Sequence, residues 1–497
     1  MLSRTLLVLI IFYLSNAVDV SVKKSRVWGP GLSADFLVPV RYFYIQLVNK
    51  DGSNVTDSVG DKAVSVSIVP GNGAPLRVWT QVLDRHDGSY IARYRLYNTA
   101  SDLQINVQYN GKHIASSPYR LRGNVYHETC DCPHQSAEEW AQAVGCPATY
   151  PQIQQDLQHF RSVDMTKVAK EAVERFNQRG QHSLCHYKVI ANKVSRKCYG
   201  DHVGFKMFGD AILLSLSRKM FLPDFEFFLN LGDWPLEDRR PDQNPLPIFS
   251  WCGSEGTRDI VLPTYDITEA TLEMMGRISL DMFSTQANTG PKWPNKTAVA
   301  FWRGRDSRQE RLHLVELSLK NPGMIDARLT NMFFFPKDEK KYGELVKHIS
   351  FFDFFKYKYQ LNIDGTVAAY RFPYLLAGDS AIFKQESEYY EHFYKELEPN
   401  IHYIPLKHDL SDVLEKLKWA KDHDEEVQQI AQNGQQYARE NLNPDDILCY
   451  HVRAFQHYAK LLKKKPKSVK DFELVQQPEE KMSCSCSKAQ KTKHEEL

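Results

Sequence analysis

The hydrophobic period of this chain changes once, at Cys130-Asp131-Cys132-Pro133, so one kind of folding unit cannot serve the whole length. From about Val22 to Gly123, short apolar/polar alternations are broken by turn residues. The run Tyr42 to Val48 ends in Asn49-Lys50-Asp51-Gly52, Val64 to Val69 in Pro70-Gly71-Asn72-Gly73, and Leu103 to Tyr109 in Asn110-Gly111. Alternation at period two with turns at this spacing predicts an all-β antiparallel sandwich over residues 22–128. Beyond Pro133 the pattern alternates between helical and strand-like segments. Helices are predicted at Ala137 to Val144, Met165 to Phe176, Ala211 to Ser217, Arg311 to Leu319, Thr366 to Leu376 (shortened or kinked by Pro373), Ser411 to Ala420 and Glu425 to Arg439. Extended segments fall between them at Leu184 to Val194, Phe225 to Leu231, Ala298 to Trp302, Tyr357 to Ile363 and Ser380 to Lys384. Such alternation predicts an α/β region over 130–460 with parallel sheets and its sites at the carboxyl ends of strands.

The ends and composition restrict where such a chain works. Arg4 precedes an apolar run from Leu6 to Leu14, with small residues at Ser15 and Ala17, the pattern of a signal peptide over residues 1–17. That run is about half the roughly twenty residues a membrane span needs, so no membrane insertion is expected. Residues 461–497 read as a basic, solvated tail whose last four, His494-Glu495-Glu496-Leu497, resemble the KDEL-type retrieval signal. The two addresses agree on the endoplasmic reticulum lumen and imply the KDEL receptor as a partner. Asn54-Val55-Thr56 and Asn295-Lys296-Thr297 are N-glycosylation sequons in that compartment. Nine cysteines in an oxidising lumen predict disulfides with at least one thiol left over. Cys130, Cys132 and Cys146 look like a local staple whose connectivity the sequence does not fix. A net charge of +2 gives no reason to expect nucleic acid as a partner.

Three strand ends carry candidate chemistry. In Leu231-Gly232-Asp233-Trp234-Pro235 a carboxylate follows an apolar strand and could act as a general base, although an Asx-turn explains a lone aspartate as well. Phe301 to Arg311 holds Arg303, Arg305, Arg308 and Arg311, suited to a diphosphate through guanidinium forks. Some of these must instead pair with Asp306, Glu310 or other acids. In Asn362-Ile363-Asp364-Gly365-Thr366-Val367-Ala368-Ala369-Tyr370-Arg371, a strand, a glycine and the start of a helix could receive an anion on free N–H groups, with Arg371 adding charge. Asp422-His423-Asp424 has the Asp-x-Asp form of a metal site but sits among charges at helical spacing, which suits a solvated face.

Two resemblances follow. Gly29 to Leu32, Asp87 to Tyr94 and Val107 to Tyr119 resemble a filamin-type immunoglobulin-like repeat. The stretch from Cys130 to Tyr458 resembles the protein O-glucosyltransferases of glycosyltransferase family 90, which are related to fungal capsule-forming transferases. That resemblance implies a GT-B fold of two Rossmann-like lobes, with inversion at the sugar carbon and no metal or other cofactor. It implies Asp233 as general base, Arg305, Arg311 and Thr366, Val367, Ala368, Ala369, Tyr370 and Arg371 as donor-binding residues, and Leu262, Pro263 and Thr264 as a loop near sugar and acceptor. It further implies UDP-glucose as donor and a serine of folded EGF-like repeats, of the Notch and fibrillin type, as acceptor. UDP-xylose in place of UDP-glucose is the alternative donor. A retained, non-catalytic client-binding protein is the alternative from another class.

Overall fold

The computed structural model describes residues 19–178, 180, 183–240, 244–274, 281–478, 484 and 486. The leader at 1–17 and the terminal His-Glu-Glu-Leu lie outside the described residues. Residues 26–125 form two facing antiparallel sheets. One runs Arg26–Trp28, Arg41–Gln46, Ser89–Leu96, Val78–Asp84, and the other pairs Ala100–Tyr109 with Val64–Pro70, Lys112–His113 and Tyr119–Val125. Asn110 and Gly111 both have positive φ, which makes the tight hairpin that their types favour. Phe43, Ile45, Tyr90, Ala92 and Tyr94 point inward from the first sheet, and Val64, Ile68, Leu103, Ile105 and Val107 meet them from the second.

The α/β part holds two further sheets. In strand order, the first is Ile260–Val261, Ile248–Ser250, Phe225–Asn230, Ser183–Ile190, Lys193–Gly200 and Glu473–Leu474. It is mixed, which differs from the parallel expectation. Ala191 and Asn192, both at positive φ, turn the chain back in a hairpin, so the segment read as one extended run is two antiparallel strands closed by Cys185–Cys198. The second sheet is wholly parallel, in the order Ile325–Asn331, Thr297–Arg305, Tyr357–Asn362, Ala381–Gln385, Ile404–Leu406. Helices Gln309–Lys320, Val413–Asp422 and Asp424–Asn441 pack on it. The helix Pro444–Ala459 returns to the first α/β sheet, where Phe455 lies against Phe225, Phe227 and Phe249.

The cysteines pair over long range rather than as a local staple: Cys130–Cys484, Cys132–Cys486 and Cys146–Cys449, with Cys252 buried and free. The stretch after 461, read as a solvated tail, is therefore fastened at Glu473–Leu474 and at both disulfides. Both sequon asparagines are exposed. No helix among the described residues is long and apolar enough to cross a membrane.

Candidate active site

A cleft of about 570 Å³ lies where strand ends of the two α/β sheets face each other, and it gathers residues from all three segments. Asp233 comes from the turn after Phe225–Asn230, Arg305 from the end of Thr297–Arg305, Arg311 from the helix that follows, and 365–371 from the loop after Tyr357–Asn362. The carboxyl ends of strands are where side chains from separate crossovers can converge.

The turn bearing Asp233 is fastened from below. Buried Asn230 accepts from the Gly232 N–H (2.9 Å) and donates Nδ2 to the Trp234 carbonyl (2.6 Å) and Ser250 Oγ (3.1 Å). Asp259 accepts from the N–H groups of Leu236 (2.9 Å) and Glu237 (2.8 Å). Asp233 keeps part of its side chain open to the cleft, where the Tyr265 hydroxyl donates to Oδ1 at 3.3 Å. Asp266, next to that tyrosine, is a second carboxylate on the cleft, and burial pushes it up to about 6.

The opposite wall is cationic. Arg311 is only 4% exposed. Its Nε donates to the Asp364 carbonyl (2.6 Å), Nη2 to Ile363 O (3.0 Å), and Nη1 to Arg305 O (3.1 Å) and Ser307 Oγ (3.2 Å). Burial, with Arg371 beside it, pulls its guanidinium down to about 9 despite the carboxylate of Asp364 nearby. Arg371 donates to the Arg303 carbonyl at 2.7 Å, and burial lowers it to about 10 despite Asp266 nearby. Arg308 bonds the Gly365 carbonyl (2.8 Å), while Arg305 reaches outward over the ring of Phe334. Arg303 lines the cleft too but is taken up by Asp326 (3.0 Å). A Cβ on Gly365 would stand 3.2 Å from Arg311 Nη2, so glycine there permits close approach of the loop to the guanidinium.

The structure revises three expectations. Residues 366–371 are a buried loop rather than a helix start. The helix spans only Phe372–Ala377, with Pro373 in its first turn, where a missing N–H costs nothing. Among the described residues no acceptor meets the N–H groups of Thr366, Val367, Ala368 and Ala369, so the loop itself offers anion-binding donors as a nest of backbone amides. Leu262, Pro263 and Thr264 are buried beneath the wall because the chain there is still leaving the edge strand Ile260–Val261, itself buried. Tyr265 and Asp266, the next two residues, reach the cleft instead. Asp306, one of several acids that the sequence offers as partners for the arginines, instead accepts from the backbone N–H groups of Phe333 (2.8 Å), Phe334 (2.9 Å) and Phe335 (2.8 Å). Asp424 of the Asp-x-Asp triplet is bonded to Trp293 Nε1 (3.0 Å) and Lys358 Nζ (2.6 Å), away from the cleft.

A carboxylate facing unneutralised guanidinium groups and free amides suits transfer of a group away from an anionic leaving group, and the chain is a glycosyltransferase. The Glycosyl transferase family 90 model matches residues 141–496, and the chain belongs to that family. Residues 19–120 match the Filamin/ABP280 repeat. Protein O-glucosyltransferase 2 of Danio rerio is 56% identical over 94% of this chain and 93% of its own length. Protein O-glucosyltransferase 3 of Homo sapiens is 50% identical over 96% and 95%. Protein O-glucosyltransferase 1 of Homo sapiens is 30% identical over 64% of this chain and 81% of its own length.

Proposed function

We propose that this chain transfers glucose from UDP-glucose to a serine of folded EGF-like repeats in the endoplasmic reticulum lumen, with inversion and without a metal ion. The observation that carries the reading is that Asp233 and the guanidinium and amide donors line one cleft from opposite sheets. The two α/β sheets with a cleft between them are the lobes of a GT-B arrangement in this reading. The names of the family relatives support glucose as the sugar and a protein as the acceptor. The luminal setting is supported by the leader and tail sequences, and Asn54 and Asn295 become the glycosylated positions there.

The chemistry follows from the charges. Asp233 accepts the serine proton as the oxygen attacks the anomeric carbon, and the Tyr265 hydroxyl fixes the orientation of the carboxylate. The bond to the diphosphate breaks on the opposite face. Arg371, Arg305 and the amides of 366–369 meet the charge that develops on the departing UDP, while Arg311 adds its field from behind the loop. Preorganised donors of this kind typically contribute about 3 kcal/mol each. They perform the charge neutralisation that a divalent cation supplies elsewhere.

The test is to incubate the purified full-length chain with a folded EGF-like repeat and a mixture of UDP-glucose and UDP-xylose, reading the product mass. Hexose addition is expected, unchanged in excess chelator. Asp233→Asn should lower the rate by about 10²- to 10⁴-fold while UDP binding persists. Wild-type turnover by the asparagine variant would remove Asp233 from the mechanism, and pentose addition would change the donor.

A further inference from the structure

We propose that a second groove, entered beside Asp233, seats the acceptor polypeptide, with Trp234 as its anchor; this rests on the protein-acceptor reading given above. The groove has a volume of about 830 Å³ and is lined by Phe176, His202, Trp234, Asp238 and Arg240 among others. Among the described residues Asp233 is the only one that lines both this groove and the cationic cleft. The carboxylate therefore stands in the wall between two chambers. A hydroxyl carried in the groove meets it from one side, while the diphosphate is held by cations on the other.

Trp234 belongs to the groove and not to the cleft, and 56% of it is exposed. An indole left in water gains apolar contact only from a partner. Its backbone has little freedom to turn the ring away. Asn230 holds the Trp234 carbonyl, and Asp259 holds the N–H groups two and three residues further on. An exposed aromatic on a fixed backbone beside the reacting centre is the form that an interface anchor takes, because the backbone that carries it need not be ordered on binding. Asp233, Glu174 and Asp238 stand against Arg175 and Arg240, and Arg240 pairs with Asp238 at 3.2 Å. So small an excess of negative charge does not choose the occupant. The chemistry fits a folded protein surface that presents an apolar side chain within a few residues of the target serine.

The test uses the full-length chain, UDP-glucose and one folded EGF-like repeat, and separates acceptor KM from the Kd for UDP measured by titration calorimetry. Trp234→Ala is expected to raise acceptor KM about tenfold or more. The Kd for UDP should stay within twofold, and Trp234→Phe should recover most of the loss. An unchanged acceptor KM, or a UDP affinity that falls in parallel, overturns the assignment. If Trp234→Ala no longer binds UDP because it does not fold, Arg240→Glu decides by the same pair of measurements, since that side chain is exposed. Absence of transfer by the wild-type chain would instead fail the enzymatic reading, which keeps the two failures distinct.

Discussion

Arg311 shows how one residue can hold two loops of a site together. Its position in the arginine loop predicts a phosphate contact, yet its bonds go to the carbonyls of Arg305, Ile363 and Asp364 and to Ser307 Oγ. It stitches the arginine loop to the 363–365 loop and leaves its charge, more than its donors, to the cleft. Lysine keeps the charge but cannot reproduce the planar fork. Arg311→Lys should therefore cost about 1–3 kcal/mol in denaturant unfolding, for carbonyls left unmatched. It should also lower kcat/KM about a hundredfold as the loops separate. A lysine variant with normal stability and turnover would show that charge alone suffices. Asp233 and Arg371 were legible because strand-end punctuation marks them: an apolar run, a glycine, then a charge. Tyr265 and Asp266 carried a fainter signal. Thr264 is the N-cap residue of the helix Tyr265–Leu272, with Asp266 acidic in its first turn, and this shifts the exposed wall past the loop that the sequence pointed to.

At the level of elements, many strand and helix identities follow the hydrophobic period, but the helices Tyr265–Leu272 and Pro444–Ala459 and the strand Ile325–Asn331 were not anticipated, and at two segments a polar contact overrides the period. The segment 366–371 reads as a helix start because small residues follow a strand end and a glycine. In the fold, Arg308 takes the carbonyl of Gly365 and Arg371 turns to that of Arg303, and helix begins only at Phe372. The loop at Phe333 to Phe335 is the reverse case: three aromatic residues suggest core, yet Phe333 and Phe334 are more than half exposed. Asp306, fully buried, causes this by collecting all three of their N–H groups. Burial pushes that carboxyl upward, but the three donors outweigh it and hold it below the usual range. A carboxylate with a depressed folded-state pKa stabilises above roughly pH 4 and loses that contribution as pH falls through its folded value. Asp306→Ala should then cost about 1–3 kcal/mol at pH 7 and free the loop, seen as faster amide exchange at residues 333–335. Unchanged exchange at these three amides would mean that the loop is held by other contacts.

At the scale of the molecule, the filamin-like unit is a buttress for the catalytic part. The strand Arg41–Gln46, read from the sequence as one of alternating faces, is buried along most of its length on both faces. Odd positions Phe43 and Ile45 fill the sandwich, while the ring of Tyr42 packs 4.6 Å from that of Phe283 of the catalytic part, tilted by 50°. Arg93, on the neighbouring strand, sends Nη1 to both oxygens of Asp281 (3.1 Å each) and Nη2 to Ser284 Oγ (3.1 Å). Asp281 in turn caps the helix Met282–Gln286 by accepting from the N–H groups of Phe283 and Ser284. This helix is therefore fastened by a residue of another unit, and the pair is largely buried, with Arg93 side-chain exposure of 3% against 15% for Asp281. Removing one member of such a pair strands the other charge and costs about 3 kcal/mol or more. Arg93→Ala and Asp281→Ala should each destabilise the whole chain in calorimetry, the aspartate variant more, because it also loses the cap. The double variant should lose less than the sum of the two by about 0.5–3 kcal/mol, since each single change already breaks the shared bond. Strict additivity would mean that the Arg93–Asp281 pair does not couple the two units, and the support would then rest on the other contacts between them, such as Tyr42 against Phe283 and Arg95 with Glu273 at 2.9 Å.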